Sequence, residues 1–289
     1  MRKMLLTMLP AAIIAAPAAA QTGQGDGDTD WTVSLSGGTT TIAGDSDQPF
    51  ASIGLTRHWG ETYLRLSGTY VDSGGDAAAL TTVPASTRQL TLGAGTLAGA
   101  LAIDGYVSLG DRNFDARAYT TRTGRTIMVD SGGSSLGAGL SLTYEVPIGD
   151  SGVFAPFVAG DYSRISIARA LLLPGGTSLA EESSEKGVTG SAGFTALWLL
   201  GSEQRHSIGL YGAALASSNN SSYNGTNAQR ATALGIGDQP GVSDEWLEYG
   251  AIASIGMSDT ASLNLGIVRT AGFLGPEATS FSGGLSFSF

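Results

Sequence analysis

Apolar and polar residues alternate one for one along most of this chain. In Glu61–Val71, Leu64, Leu66, Gly68 and Tyr70 alternate with Tyr63, Arg65, Ser67 and Thr69. In Ala100–Arg112, Leu101, Ile103, Val107 and Leu109 alternate with Ala102, Asp104, Tyr106 and Ser108. Strand side chains point to opposite faces with period two, so each stretch predicts a strand with one apolar and one polar face. About 12 segments read this way, with turn residues between them. They are Trp31–Ala43, Phe50–Trp59, Glu61–Val71, Arg88–Thr96, Ala100–Arg112 and Ser134–Pro147, then Gly152–Ile165, Val188–Leu200, Arg205–Ala216, Glu245–Met257, Ala261–Arg269 and Ala278–Phe289. In Gly152–Ile165 the pattern leaves open which parity is apolar.

The connections carry a second rhythm. Short ones fall at Gly60, Ala98-Gly99, Gly149–Gly152, Gly201–Gln204 and Ser258–Thr260. Between them lie the long connections Ser73–Ser86, Asn113–Ser131, Ala168–Gly187 and Ser217–Asp244, although those around Asp45 and Gly275 are short. Short turns at one end and long loops at the other predict an all-β fold, a transmembrane antiparallel up-and-down β-barrel of about 12 strands. An even strand number returns the last residue, Phe289, to the end where the first strand starts. A secreted β-sandwich would carry more charge on its outer faces. Here the polar faces are mostly Ser, Thr and Gly, and charged residues make up 14% of the chain.

Composition narrows the choice further. The 43 glycines are spread through the alternating segments, which argues against long helices and against a collagen-like repeat. With no cysteine, disulfide frameworks and thiolate metal sites are excluded. Arg2 and Lys3, the apolar run Met4–Ala16 and then Ala18-Ala19-Ala20 read as a cleaved secretory signal peptide over 1–20. The expected organisation is therefore a signal over 1–20, a short acidic segment over 21–30 and a barrel over 31–289. Without Arg2 and Lys3, 13 basic residues face 25 acidic ones, a net charge of −12. Such a surface repels nucleic acid.

The C-terminus reads Ser282-Gly283-Gly284-Leu285-Ser286-Phe287-Ser288-Phe289. Ser282, Gly284, Phe287 and Phe289 resemble the C-terminal assembly signal of Gram-negative outer-membrane β-barrels. That resemblance implies location in the outer membrane, insertion by the barrel-assembly machinery, and contact with outer-membrane lipid and lipopolysaccharide. In barrel size and terminal aromatic the chain also resembles the autotransporter C-terminal β-domain. It departs from that family before Trp31, where only Gln21–Asp30 follow the expected cleavage site, and they are Gly- and Asp-rich.

Candidate chemistry is sparse. Arg65, Asp104 and Glu145 fall at positions expected to face the lumen, because a charge facing lipid at mid-membrane costs a few kcal/mol. They would either set ion preference in a pore or form a salt-bridged network that stiffens or plugs the lumen. His58 and His206 fall beside short turns and fit hydrogen bonding at the rim; no catalytic set accompanies them, so an enzyme is not expected. Asp26-Gly27-Asp28-Thr29-Asp30 lacks the later residues of a calcium loop, and no cofactor or metal site is expected. Glu181, Glu182, Glu185 and Lys186 read as an acidic long loop, and Asn219–Thr226 as a flexible polar one. Trp31, Trp59, Trp198 and Trp246 fit an interfacial girdle. The expected function is a passive, porin-like channel for small polar solutes or ions. The alternatives are an orphan autotransporter-type barrel, or a barrel acting on a partner through its long loops.

Overall fold

The computed structural model describes residues 31–42, 47–73, 85–120, 123–173, 177–201, 203–219, 243–272 and 277–289. They form β1 (Trp31–Ile42), β2 (Gln48–Trp59), β3 (Thr62–Ser73), β4 (Ala85–Ala98), β5 (Leu101–Thr120) and β6 (Thr126–Tyr144). There follow β7 (Val146–Ile148), β8 (Gly152–Leu173), β9 (Thr177–Leu200), β10 (His206–Ser217), β11 (Asp244–Gly256), β12 (Ala261–Ala271) and β13 (Ala278–Ser288).

Each strand pairs antiparallel with its neighbours in the sheet, and β1 pairs with β13 to close it. Closure satisfies every edge, which a wall in hydrocarbon requires. At the seam the Trp31 and Phe289 amides each donate to the other's carbonyl, at 3.2 and 3.0 Å. β6 and β7 are one strand interrupted at Glu145. Thr143 pairs with Phe157 and Val146 with Phe154 in unbroken register against β8. The wall is thus a closed barrel of twelve strands with one short continuation.

Alternation sorts the side chains. Leu90, Leu109, Ile53 and Phe289 are more than half exposed on the outer face, whereas Tyr63, Asp104 and Thr143 are buried on the inner one. Gly60 and Gly99 adopt positive φ in the tight β2–β3 and β4–β5 turns, where an L side chain would be strained.

Two hairpins are longer than the alternation predicts. β5, β6, β8 and β9 run 20, 19, 22 and 24 residues, whereas about 9–11 residues cross a membrane. The expected loops Asn113–Ser131 and Ala168–Gly187 are therefore largely strand, and the Glu181–Lys186 run is part of β9, not a loop. The reason is physical. Above the hydrocarbon neither face of a strand meets lipid, so backbone pairing continues without apolar alternation to betray it. A register shift between Phe114 and Arg117 marks the passage on β5. The proposed signal over 1–20, the segment 21–30, the calcium-like Asp26–Asp30, and most of the connections Ser73–Ser86 and Ser217–Asp244 lie outside the described residues.

Candidate functional site

The inner face holds the chemistry, and it is built on one repeated arrangement. Tyr63 on β3 reaches across β4 and donates its hydroxyl to Asp104 Oδ1 on β5, at 2.6 Å. Beneath the ring lies Gly95 of β4, where a Cβ would stand 2.5 Å from the ring edge and 2.2 Å from Asp104 Oδ1. Two strands on, the motif recurs. Tyr106 of β5 lies over Gly139 of β6 and donates to Asp161 Oδ1 of β8 at 2.7 Å. A glycine on the middle strand makes room for the ring, and the ring's hydroxyl holds a carboxylate that would otherwise be buried with one partner fewer.

A third carboxylate is held differently. Glu248 accepts from Trp246 Nε1 at 3.2 Å and from the Tyr211 hydroxyl at 3.4 Å. Tyr211 stacks on Phe157, centroids 6.1 Å apart, and Phe157 packs with Ala213, Leu215 and Trp246. Nearer the long-hairpin end, Glu185 accepts from Asn219 Nδ2 at 3.0 Å.

Arg65 and Asp104 both sit on the inner face, 8% and 2% exposed. Arg65 lies two residues from Tyr63, on the same face of β3. Oδ2 of Asp104 has no hydrogen-bond partner among the described residues. Glu145 is half-buried at the β6–β7 break, away from this pair, and its amide donates to the Ala100 carbonyl. Arg112 is buried with its guanidinium 5.6 Å from the Phe114 ring centre, and its Nε has no partner among the described residues. Among the described residues, Asp104, Asp161, Glu185, Asp244 and Glu248 thus face the interior with Arg65 and Arg112.

Several of these were hidden in the sequence. Asp161 lies on β8, where the parity is ambiguous. Trp246 is not part of an interfacial girdle: it is 3% exposed and points inward. On β11, Glu245 and Glu248 have opposite parity, so charge alone does not say which row is interior; the register puts Asp244, Trp246 and Glu248 inside. Trp59 and Trp198 are exposed on the outer face, and Arg57 lies about 5 Å from the Trp31 and Trp59 rings. His58 is half-buried against Tyr63, and His206 is exposed at the start of β10. At the terminus, Phe287 and Phe289 face outward, while Gly284 faces inward and Ser282 is half-buried. Asn219 is buried; the rest of Asn219–Thr226 lies outside the described residues.

A closed twelve-strand barrel with an apolar outer belt and a polar interior defines an outer-membrane β-barrel of a Gram-negative bacterium. The autotransporter beta-domain model matches residues 20–267, and the chain belongs to that family. Its fold is similar to the beta domain of the Bordetella autotransporter BrkA (TM-score 0.61, 14% identity, 90% of this chain and 99% of that one). It is likewise similar to the translocator domain of the autotransporter NalP from Neisseria meningitidis (TM-score 0.63, 14% identity, 92% and 91%). An outer-membrane channel from Pseudomonas putida is a further structural neighbour (TM-score 0.55, 11% identity, 90% and 96%). No curated protein matches the chain in sequence.

Proposed function

We propose that the barrel works as a passive, cation-preferring pore for small polar solutes or ions, without enzymatic activity. One observation carries this reading: carboxylates outnumber guanidinium groups on the inner face of the described wall. Fixed negative charge inside low-dielectric walls concentrates cations and excludes anions. Arg65 and Asp104 both face the interior, and Glu145 adds charge towards the short-turn end. The test is the reversal potential of the refolded protein in a planar bilayer under a salt gradient. Wild type is expected to favour cations, and Asp104→Asn with Asp161→Asn to weaken that preference. A silent membrane, with insertion verified separately, overturns the pore.

A second reading is favoured by the family match: a translocator of the autotransporter kind, like the neighbour from NalP. A silent membrane would leave that reading standing. In either case Ser282, Gly284, Phe287 and Phe289 are proposed as the signal read by the barrel-assembly machinery.

A further inference from the structure

The outer face carries a groove, separate from the lumen. The register fixes two adjacent rows of outward residues. In the lower row Gly68 pairs with Leu90, Leu90 with Leu109, and Leu109 with Leu136. In the upper row Tyr70 pairs with Arg88, Arg88 with Asp111, and Asp111 with Ser134. The lower row continues from Leu136 to Arg164 and then to Lys186. A groove of about 1040 Å³ runs between the rows, bounded by Leu90, Leu109 and Leu136 below and by Tyr70, Arg88 and Arg164 at its polar side. A second, polar depression of about 580 Å³ adjoins it and shares Arg88, Asp111 and Ser134, but its lining turns inward to buried Arg112 and Ser166.

The height of this groove matters. Arg88 and Asp111 lie roughly ten residues from the Ala98–Leu101 turn, the length a strand needs to cross the hydrocarbon. The groove therefore straddles the boundary between acyl chains and headgroups at the end where the long hairpins emerge, which is the outer leaflet. The leucines belong to the apolar belt: Leu90 is 56% and Leu109 64% exposed. Arg88, Arg164 and Lys186 are exposed, and among the described residues none has a carboxylate partner within ion-pair distance. Two such guanidinium forks beside an apolar slot match a phosphate joined to acyl chains. Asp111 offers an acceptor that a phosphate would not use but that sugar hydroxyl and amide groups would.

We propose that this groove binds the bis-phosphorylated glycolipid of the outer leaflet, lipid A. Its phosphates meet Arg88 and Arg164, with Lys186 adding positive charge beyond them. Its sugar groups donate to Asp111, and its acyl chains run down over Leu90, Leu109 and Leu136. The proposal rests on the outer-membrane location and not on the pore.

The test is native mass spectrometry of the refolded full chain in detergent with bis-phosphorylated lipid A, its dephosphorylated form, or phosphatidylethanolamine. Wild type is expected to retain the phosphorylated form, and R88A/R164A to bind it about tenfold or more weakly, as loss of charge-assisted contacts implies. Arg205→Ala, near a short turn at the opposite end, is the control expected to bind normally. Equal retention of phosphorylated and dephosphorylated lipid A by wild type overturns the proposal, and this arm needs no variant to fold. Unchanged binding in a folded R88A/R164A overturns it too. Phosphatidylethanolamine that displaces lipid A at equal concentration overturns the glycolipid assignment.

Discussion

Gly95 and Gly139 are positions where one carbon decides the interior. Each lies under a tyrosine ring whose hydroxyl holds a carboxylate two strands from its own, and each would place a Cβ within 2.5 Å of both partners. The obstructing atoms are a ring edge and a carboxylate tip, so the site can give, but only by loosening the Tyr–Asp hydrogen bond. Gly95→Ala is therefore expected to destabilise the barrel by about 1–3 kcal/mol, the range for overpacking a filled site. Gly160 is the control. It is exposed, and a methyl added there would meet nothing within 4 Å, so Gly160→Ala should stay within about 0.5 kcal/mol of wild type. Denaturant midpoints of the refolded proteins measure both. Equal effects at the two glycines would mean that the rings are not fitted to the glycines beneath them. The sequence shows the tyrosines and aspartates but not their pairing, because a contact across an intervening strand depends on register. Arg65 and Asp104 are legible as interior from parity alone; that Tyr63 rather than Arg65 holds Asp104 Oδ1 is not.

At the scale of the element, legibility follows the environment. Strands in the belt, such as β3 and the first half of β5, alternate because one face meets lipid and the other the polar interior. The same strand β5 beyond Arg112 loses that contrast, and its pairing with β6 leaves no periodic trace. Glu181–Lys186 reads as a loop for this reason, although Glu185 is buried against Asn219 and Lys186 stands outside. The closing strand β13 shows the opposite case, for it is legible to its last residue. Phe281 and Phe287 face lipid, and inward Ser280 meets Thr40 at 2.8 Å across the seam. Phe289 is 65% exposed and contributes its backbone, rather than packing, to the seam with Trp31. Phe289→Ser keeps that backbone pairing, so it should barely change the stability of barrel refolded in detergent. It should still lower the amount of folded barrel in outer membranes if the aromatic is read during assembly. Quantifying heat-modifiable protein in isolated membranes separates the two effects. Wild-type yield in membranes would remove Phe289 from the signal.

At the scale of the whole molecule, two sources of negative charge compete to explain any cation preference. One is the interior set of Asp104, Asp161, Glu185, Asp244 and Glu248. The other is the acidic excess of the chain at large, −10 over its full length, much of it carried by solvated surface. Ionic strength separates them. Exposed charges are screened over about 8–10 Å at 0.1–0.15 M salt and about 3 Å at 1 M, whereas charges buried in a low-dielectric wall are screened far less. Asp104 and Glu248 are each 2% exposed, so preference set by the interior should survive at 1 M mean salt, with only a modest fall. Preference set by the surface should collapse towards the bulk mobility ratio of the ions. Reversal potentials at 0.1 M and 1 M mean salt therefore distinguish the lining from the loops without any substitution. Collapse in wild type would move the selectivity to the surface and leave the buried carboxylates as structural groups, held by Tyr63, Tyr106, Tyr211 and Trp246 to fix the register of the wall.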